Sequence, residues 1–141
     1  MASGAKVTFR VDKSIIDPPG IFQACLHGSN DYRVSIENAQ TLVRRFSTAP
    51  LNGVIIDYSG CTLGHTMQQY SDIAATFGDG LPDGLPFAYV FNEKQVAHVL
   101  FMTRLLTGKS LQARAFPSME EAHAWIIPAA GLYRENREQA A

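Results

Sequence analysis

Polar and apolar positions alternate from Lys6 to Arg10, with Val7, Phe9 and Val11 on one side. A period of two marks a strand with one buried face, and Ile15-Ile16 extend it. Asp17-Pro18-Pro19-Gly20 follows as a turn, since proline fixes φ and glycine accepts a reversed dihedral. Ile21 to Leu26 is then the return strand of a hairpin, ended by Gly28-Ser29-Asn30-Asp31. From Ser35 to Phe46 the period becomes helical, with Ile36, Ala39, Leu42, Val43 and Phe46 on one face. Glu37 near its start and Arg44-Arg45 near its end suit the helix dipole, and Ala49-Pro50 closes it.

Val54-Ile55-Ile56 is continuously apolar, as expected for a strand covered on both faces of a parallel sheet. A second helix is predicted over His65 to Phe77, with Met67, Tyr70, Ile73, Ala74 and Phe77 as its stripe. The Gly78-Asp79-Gly80-Leu81-Pro82-Asp83-Gly84 segment reads as a loop that stops it. Phe87 to Phe91 is the next strand. Asn92 and Gln95 form a capping box for a helix running to Leu106, and Thr107-Gly108 supplies its stop. Leu111 to Phe116 is the last strand. Ser118-Met119-Glu120-Glu121 caps a final helix with Ala122, Trp125 and Ile126 inward, and Pro128 is expected to end it.

The element order is therefore ββαβαβαβα. Alternating strands and helices imply right-handed crossovers. The expected fold is one α/β domain over residues 1–130, with a mixed, mostly parallel five-stranded sheet and about four helices. The opening hairpin places an antiparallel strand near one edge. Residues 131–141 read as a polar C-terminal tail.

Composition narrows the function classes. A chain of 141 residues, 46% hydrophobic, has material for one core. Its net charge of −1 and the lack of a basic stripe argue against nucleic acid as a partner. The first residues lack the apolar core of a secretory signal, and no stretch reaches the length of a membrane span. Cys25 and Cys61 have no C-x-x-C spacing and fit a reducing cytoplasm, where cysteine behaves as a small apolar residue.

In parallel sheets, function gathers beyond the carboxyl ends of the strands. That rule nominates Asp57, Ser59, Gly60, Thr62 and His65 after one strand, Asn92 after the next and Ser118 after the last. Ser59, between Tyr58 and Gly60, is a candidate phosphoacceptor. A phosphate would add about −1.5 to −2 charge there, and Asp57 would repel it unless a metal or a lysine intervened. His65 is the candidate base if Ser59 is a nucleophile. No histidine pair has metal-ligand spacing, and no G-x-S-x-G or glycine-rich phosphate loop is present, so neither metal nor cofactor is expected. The absence of such motifs favours binding over catalysis.

The helix after Asn92 is apolar on more than one side. Val96, Val99 and Leu100 make one stripe; Ala97, Phe101 and Leu105 make another, with Met102 beyond it. A surface helix normally has one apolar stripe, so Ala97, Phe101, Met102 and Leu105 are expected to meet a second subunit, a partner protein or a small apolar ligand.

The element order, the Asp57-Tyr58-Ser59-Gly60 corner and the ending from Phe116 to Ile126 resemble the SpoIIAA-like branch of the STAS domains. The resemblance covers roughly Val7 to Ile127. In the anti-sigma factor antagonists of that family a serine before glycine, following an aspartate, is phosphorylated. The likeness places that role on Ser59, with Asp57 and Gly60 matching, Tyr58 replacing a small residue, and Cys61-Thr62-Leu63-Gly64 intervening before the next helix. It implies a cytoplasmic, non-catalytic binding or regulatory module that switches at the Asp57-Ser59 corner, with a regulatory protein or a homodimer as partner. Two other expectations stand beside it: a carrier or sensor of a small apolar ligand or lipid near the Asn92–Leu106 helix, and a hydrolase-like enzyme using Ser59 and His65.

Overall fold

The computed structural model describes residues 9–140, apart from the side chains of Asn30 and Leu63. The elements are β1 (Arg10–Ile16), β2 (Ile21–Asn30), α1 (Tyr32–Thr48), β3 (Gly53–Leu63), α2 (Met67–Gly80), β4 (Pro86–Val90), α3 (Val96–Gly108), β5 (Gln112–Phe116) and α4 (Met119–Ala140). One 3₁₀ turn, Glu93–Gln95, leads into α3. The five strands lie in sequence order across the sheet; β1 pairs antiparallel with β2, and every other pair is parallel. The expected order and sheet type are therefore the observed ones. Most of the strand expected over Lys6 to Arg10 lies outside the described residues. The hairpin's first arm is instead described from Arg10, with Phe9 and Val11 packed against the core.

Successive right-handed crossovers in a sheet that grows in one direction place their helices on one face. The larger core accordingly lies between the sheet and α1, α2 and α3. Phe77, Phe87, Tyr89 and Tyr58 form a run of ring contacts through it, with centroids 5.0–5.3 Å apart. The opposite face is covered by α4, whose Ala122, Ile126 and Ala130 meet Ile21, Ile55, Ala88 and Val90. Every residue of β4 is buried, as expected for a short strand covered on both faces.

Several boundaries differ from the sequence reading, each for a tertiary reason. β2 continues past Leu26 to Asn30 because β3 pairs with it along that length. β3 runs on to Leu63, so the Asp57–Gly60 corner lies inside a strand and not at its end. Thr66, not His65, begins α2. Its hydroxyl accepts the Gln69 amide at 3.1 Å and the Gln69 side chain accepts the Thr66 amide at 2.9 Å.

Gly78-Asp79-Gly80 belongs to the last turn of α2. These glycines serve close packing: a Cβ at Gly78 would sit 2.4 Å from Lys109 Cβ, and one at Gly80 2.5 Å from Val43 Cγ1. Pro128 lies within α4 on its exposed side, and the helix continues through the polar tail to Ala140. A proline removes one amide donor, and a helix already docked by Ile126 and Ala130 tolerates that loss.

Candidate functional site

The site is built around an irregularity in β3. Cys25 pairs with Asp57 but His27 pairs with Gly60, so Tyr58 and Ser59 together oppose Leu26. Such a bulge bends the strand and resets its alternation. Val54, Ile56 and Tyr58 point to the three-helix face before it, and Cys61 does so after it. Ser59 and Gly60 are left exposed at the bulge. A Cβ on Gly60 would come within 3.0 Å of His27 Nδ1 and 3.1 Å of the Leu26 carbonyl, a crowding against β2 that favours glycine there.

The side chain of Asp57 folds over the bulge. Its Oδ1 accepts the Ser59 amide at 2.9 Å and the Ser59 hydroxyl at 2.6 Å. A hydroxyl donating to a carboxylate makes a short, charge-assisted bond.

Pairing between β3 and β4 ends at Asp57 and Val90, so the next carbonyls of β3 have no strand partner on that side. Two carboxamides replace it. Asn92 Nδ2 donates to the Ser59 carbonyl at 2.9 Å. Gln95 Nε2 donates to the carbonyls of Tyr58 and Cys61, both at 2.7 Å. The other ends of both side chains complete the capping box: Asn92 Oδ1 accepts the Lys94 amide at 2.8 Å and Gln95 Oε1 accepts the Asn92 amide at 3.0 Å. The start of α3 is thereby tied to the bulge. Between them lies an open groove of about 330 Å³, lined by Ser59, Gly60, Thr62, Asn92, Lys94 and His98 among others.

The structure brings Asp57, Ser59, Gly60, Thr62 and Asn92 together, but not His65. That ring is buried, 2.9 Å from Ser35 Oγ through Nε2 and stacked on Tyr70 at 5.1 Å between centroids. Burial lowers its pKa from the ordinary 6.5. Ser59 and His65 are each bonded to a different partner, so the expected nucleophile–base pair is not formed. Tyr70 in turn meets His98 Nδ1 at 3.0 Å, and burial raises its phenol to about 12. The sequence marks Gln95 only as part of a cap and does not single out Lys94. Nothing local reveals that the same Gln95 also holds two carbonyls of a strand far away in the chain.

Cys61 is buried, which lifts its thiol to about 12, and both cysteines are free. Among the described residues no cluster of three metal-ligating side chains occurs, and no helix is long and apolar enough to cross a membrane.

The helix expected to be apolar on more than one side is largely explained by the fold. Met102 is buried together with Val99 and Leu106 and is not a surface residue. Phe101 and Leu105 are half-buried against the same core, Phe101 edge-on to Tyr70. Only Ala97, Val96 and Leu100 stay outside; Leu100 is 53% exposed.

A solved structure of an anti-sigma factor antagonist from Mycobacterium paratuberculosis shares this fold, with a TM-score of 0.57 over 88% of this chain and 97% of that one, at 15% identity. The fold implied by the sequence resemblance is therefore one that this chain shares with an anti-sigma factor antagonist. No protein-family model and no curated protein sequence matches it.

Proposed function

We propose that this chain is a regulatory protein-binding module whose contact face is the β3 bulge with the Asn92–Gln95 cap, and that Ser59 is its switch residue. The observation that carries the reading is the exposed Ser59 hydroxyl, held at 2.6 Å by Asp57 at the rim of the groove. The anti-sigma factor antagonist that shares the fold supports regulation through protein contact.

The switch follows from charge. A phosphate on Ser59 removes the hydroxyl proton that bridges to Asp57 and sets about −1.5 to −2 charge against that carboxylate. The two repel, so the modified side chain swings away from Asp57. Lys94, the lysine lining the groove, is the cation that can receive it. The groove passes from nearly neutral to strongly negative, and a partner fitted to one form is rejected by the other.

Mass spectrometry after incubation with a broad-specificity serine kinase tests this, with Ser59→Ala as the control. One phosphate on Ser59, absent from the alanine variant, is expected, together with changed partner binding by Ser59→Asp. A chain that is never modified at Ser59, and whose binding is indifferent to Ser59→Asp, removes the switch.

A further inference from the structure

A second space, distinct from the groove, lies on the three-helix face between α1 and the β1–β2 hairpin. Phe22, Leu26, Leu42, Ile56 and Phe77 wall a slot of about 500 Å³, counting the open solvent at its mouth. The room it leaves for the centre of a water-sized sphere is small, about 40 Å³, so an occupant must be slender. Phe22, Ala24 and Leu26 line it over four residue steps of β2, roughly 13 Å at the strand rise of about 3.3 Å per residue.

The mouth differs in character from the walls. Lys13 and Arg45 stand at it, and among the described residues no carboxylate lines the slot. Among the described residues neither cation belongs to an ion pair. The Arg45 guanidinium lies over the Phe22 ring, 4.8 Å from its centroid, which holds it at the entrance. Asn38 lines the slot as well, and its Nδ2 is buried without a hydrogen-bond partner.

The inner end of the slot shares Ser35 and Tyr58 with a smaller pocket that His65 and Tyr89 also line. Buried polar atoms are nearly always satisfied, so the unpaired Asn38 amide on the slot's wall calls for an acceptor.

We propose that the slot binds a medium-chain carboxylic acid, its tail lying along β2 beneath α1 and its carboxylate at the mouth between Lys13, Arg45 and the Asn38 amide. The tail removes apolar wall from water, the two cations meet the charge, and the Asn38 donor gains an acceptor. This site lies under α1 and not beside α3, where the sequence alone placed an apolar ligand.

Calorimetric titration of the full chain with hexanoate, octanoate, decanoate and decanol at pH 7.5 tests the proposal. Saturable one-to-one binding is expected, tightening about fourfold for each added methylene until the slot is full. Decanoate should bind about tenfold more tightly than decanol. The Lys13→Gln/Arg45→Gln double variant should lose that preference while still binding decanol. Because Arg45 also covers Phe22, Lys13→Gln alone serves as a second variant, with about a threefold loss expected for decanoate. Methyl resonances of Leu26, Leu42 and Ile56 should shift on titration. Absence of saturable binding, or equal decanoate affinity in wild type and both variants, overturns the proposal. So does a response confined to Val96 and Leu100, acid binding only as part of a vesicle, or a dimer whose second copy fills the slot.

Discussion

Replacing Gln95 by leucine isolates the tie between α3 and the β3 bulge. The side chain is buried and makes three hydrogen bonds: from Nε2 to the carbonyls of Tyr58 and Cys61, and to Oε1 from the Asn92 amide. Leucine is similar in size and brings no polar atom. Each buried group left without a partner costs about 1–3 kcal/mol. The Asn92 amide lies beside the open groove and recovers water, so the two strand carbonyls dominate. The expected loss is about 3 kcal/mol. With an m-value of about 1.5 kcal/mol/M, that lowers the urea midpoint by about 2 M. Asn92→Ala is the natural comparison. It removes a partly exposed cap and one carbonyl contact, for an expected loss of about 1 kcal/mol. Urea unfolding followed by circular dichroism, with hydrogen exchange at Cys61 and Thr62, reads both variants. If Gln95→Leu loses less than Asn92→Ala, the bulge does not depend on these bonds, and the account of the site's rigidity fails.

Two further outcomes follow from the same geometry. The pKa of His65 is lowered by burial, so the unfolded chain binds a proton there at pH values where the native ring stays neutral. Its contribution is present above about pH 6.5 and is lost as the pH falls towards the native pKa; His65→Gln should therefore flatten the decline in stability between pH 7.5 and 5.5, and an unchanged slope would contradict the burial argument. The exposed strip of Val96, Ala97 and Leu100 is proposed as a two-fold contact. Light scattering should show a mass rising towards the dimer with concentration in the wild type and a constant monomer for Leu100→Glu, and a wild type that stays monomeric at high concentration removes this contact.

The groove explains why the switch reading and the enzyme reading separate here. A hydrolytic pair needs the base within hydrogen-bond reach of its nucleophile. Ser59 instead gives its proton to Asp57, while His65 sits inside the core beside Ser35. What meets this stretch of β3 from across the sheet is the α3 cap, Asn92 at the Ser59 carbonyl and Gln95 at those of Tyr58 and Cys61. Their role is to complete a strand edge that β4 leaves open, and this gives the exposed serine a rigid platform.

Much of this architecture was legible in the chain itself. Local patterns determined the strand–helix alternation, the opening turn at Asp17–Gly20, the Asn92 and Ser118 caps and the inward stripes of α1 and α2, because the 2.0 and 3.6 residue periods are set by neighbours in sequence. The exception is Met67, expected in the α2 stripe but 69% exposed in the first turn of that helix. Element order then determined the sheet, since right-handed crossovers leave few arrangements. Only the tertiary structure decided the rest. Strand length depended on partners: β2 and β3 sustain each other past Leu26 and Ile56, where the local pattern ends. Gly78 and Gly80 remained helical because Lys109 and Val43 need the room, and Pro128 was tolerated because α4 was already docked on the sheet. The site followed the same rule. Asp57, Ser59 and Gly60 were visible as a motif, but the Gln95 and Asn92 bonds that hold their strand join residues more than thirty positions apart, and no local pattern encodes such a contact.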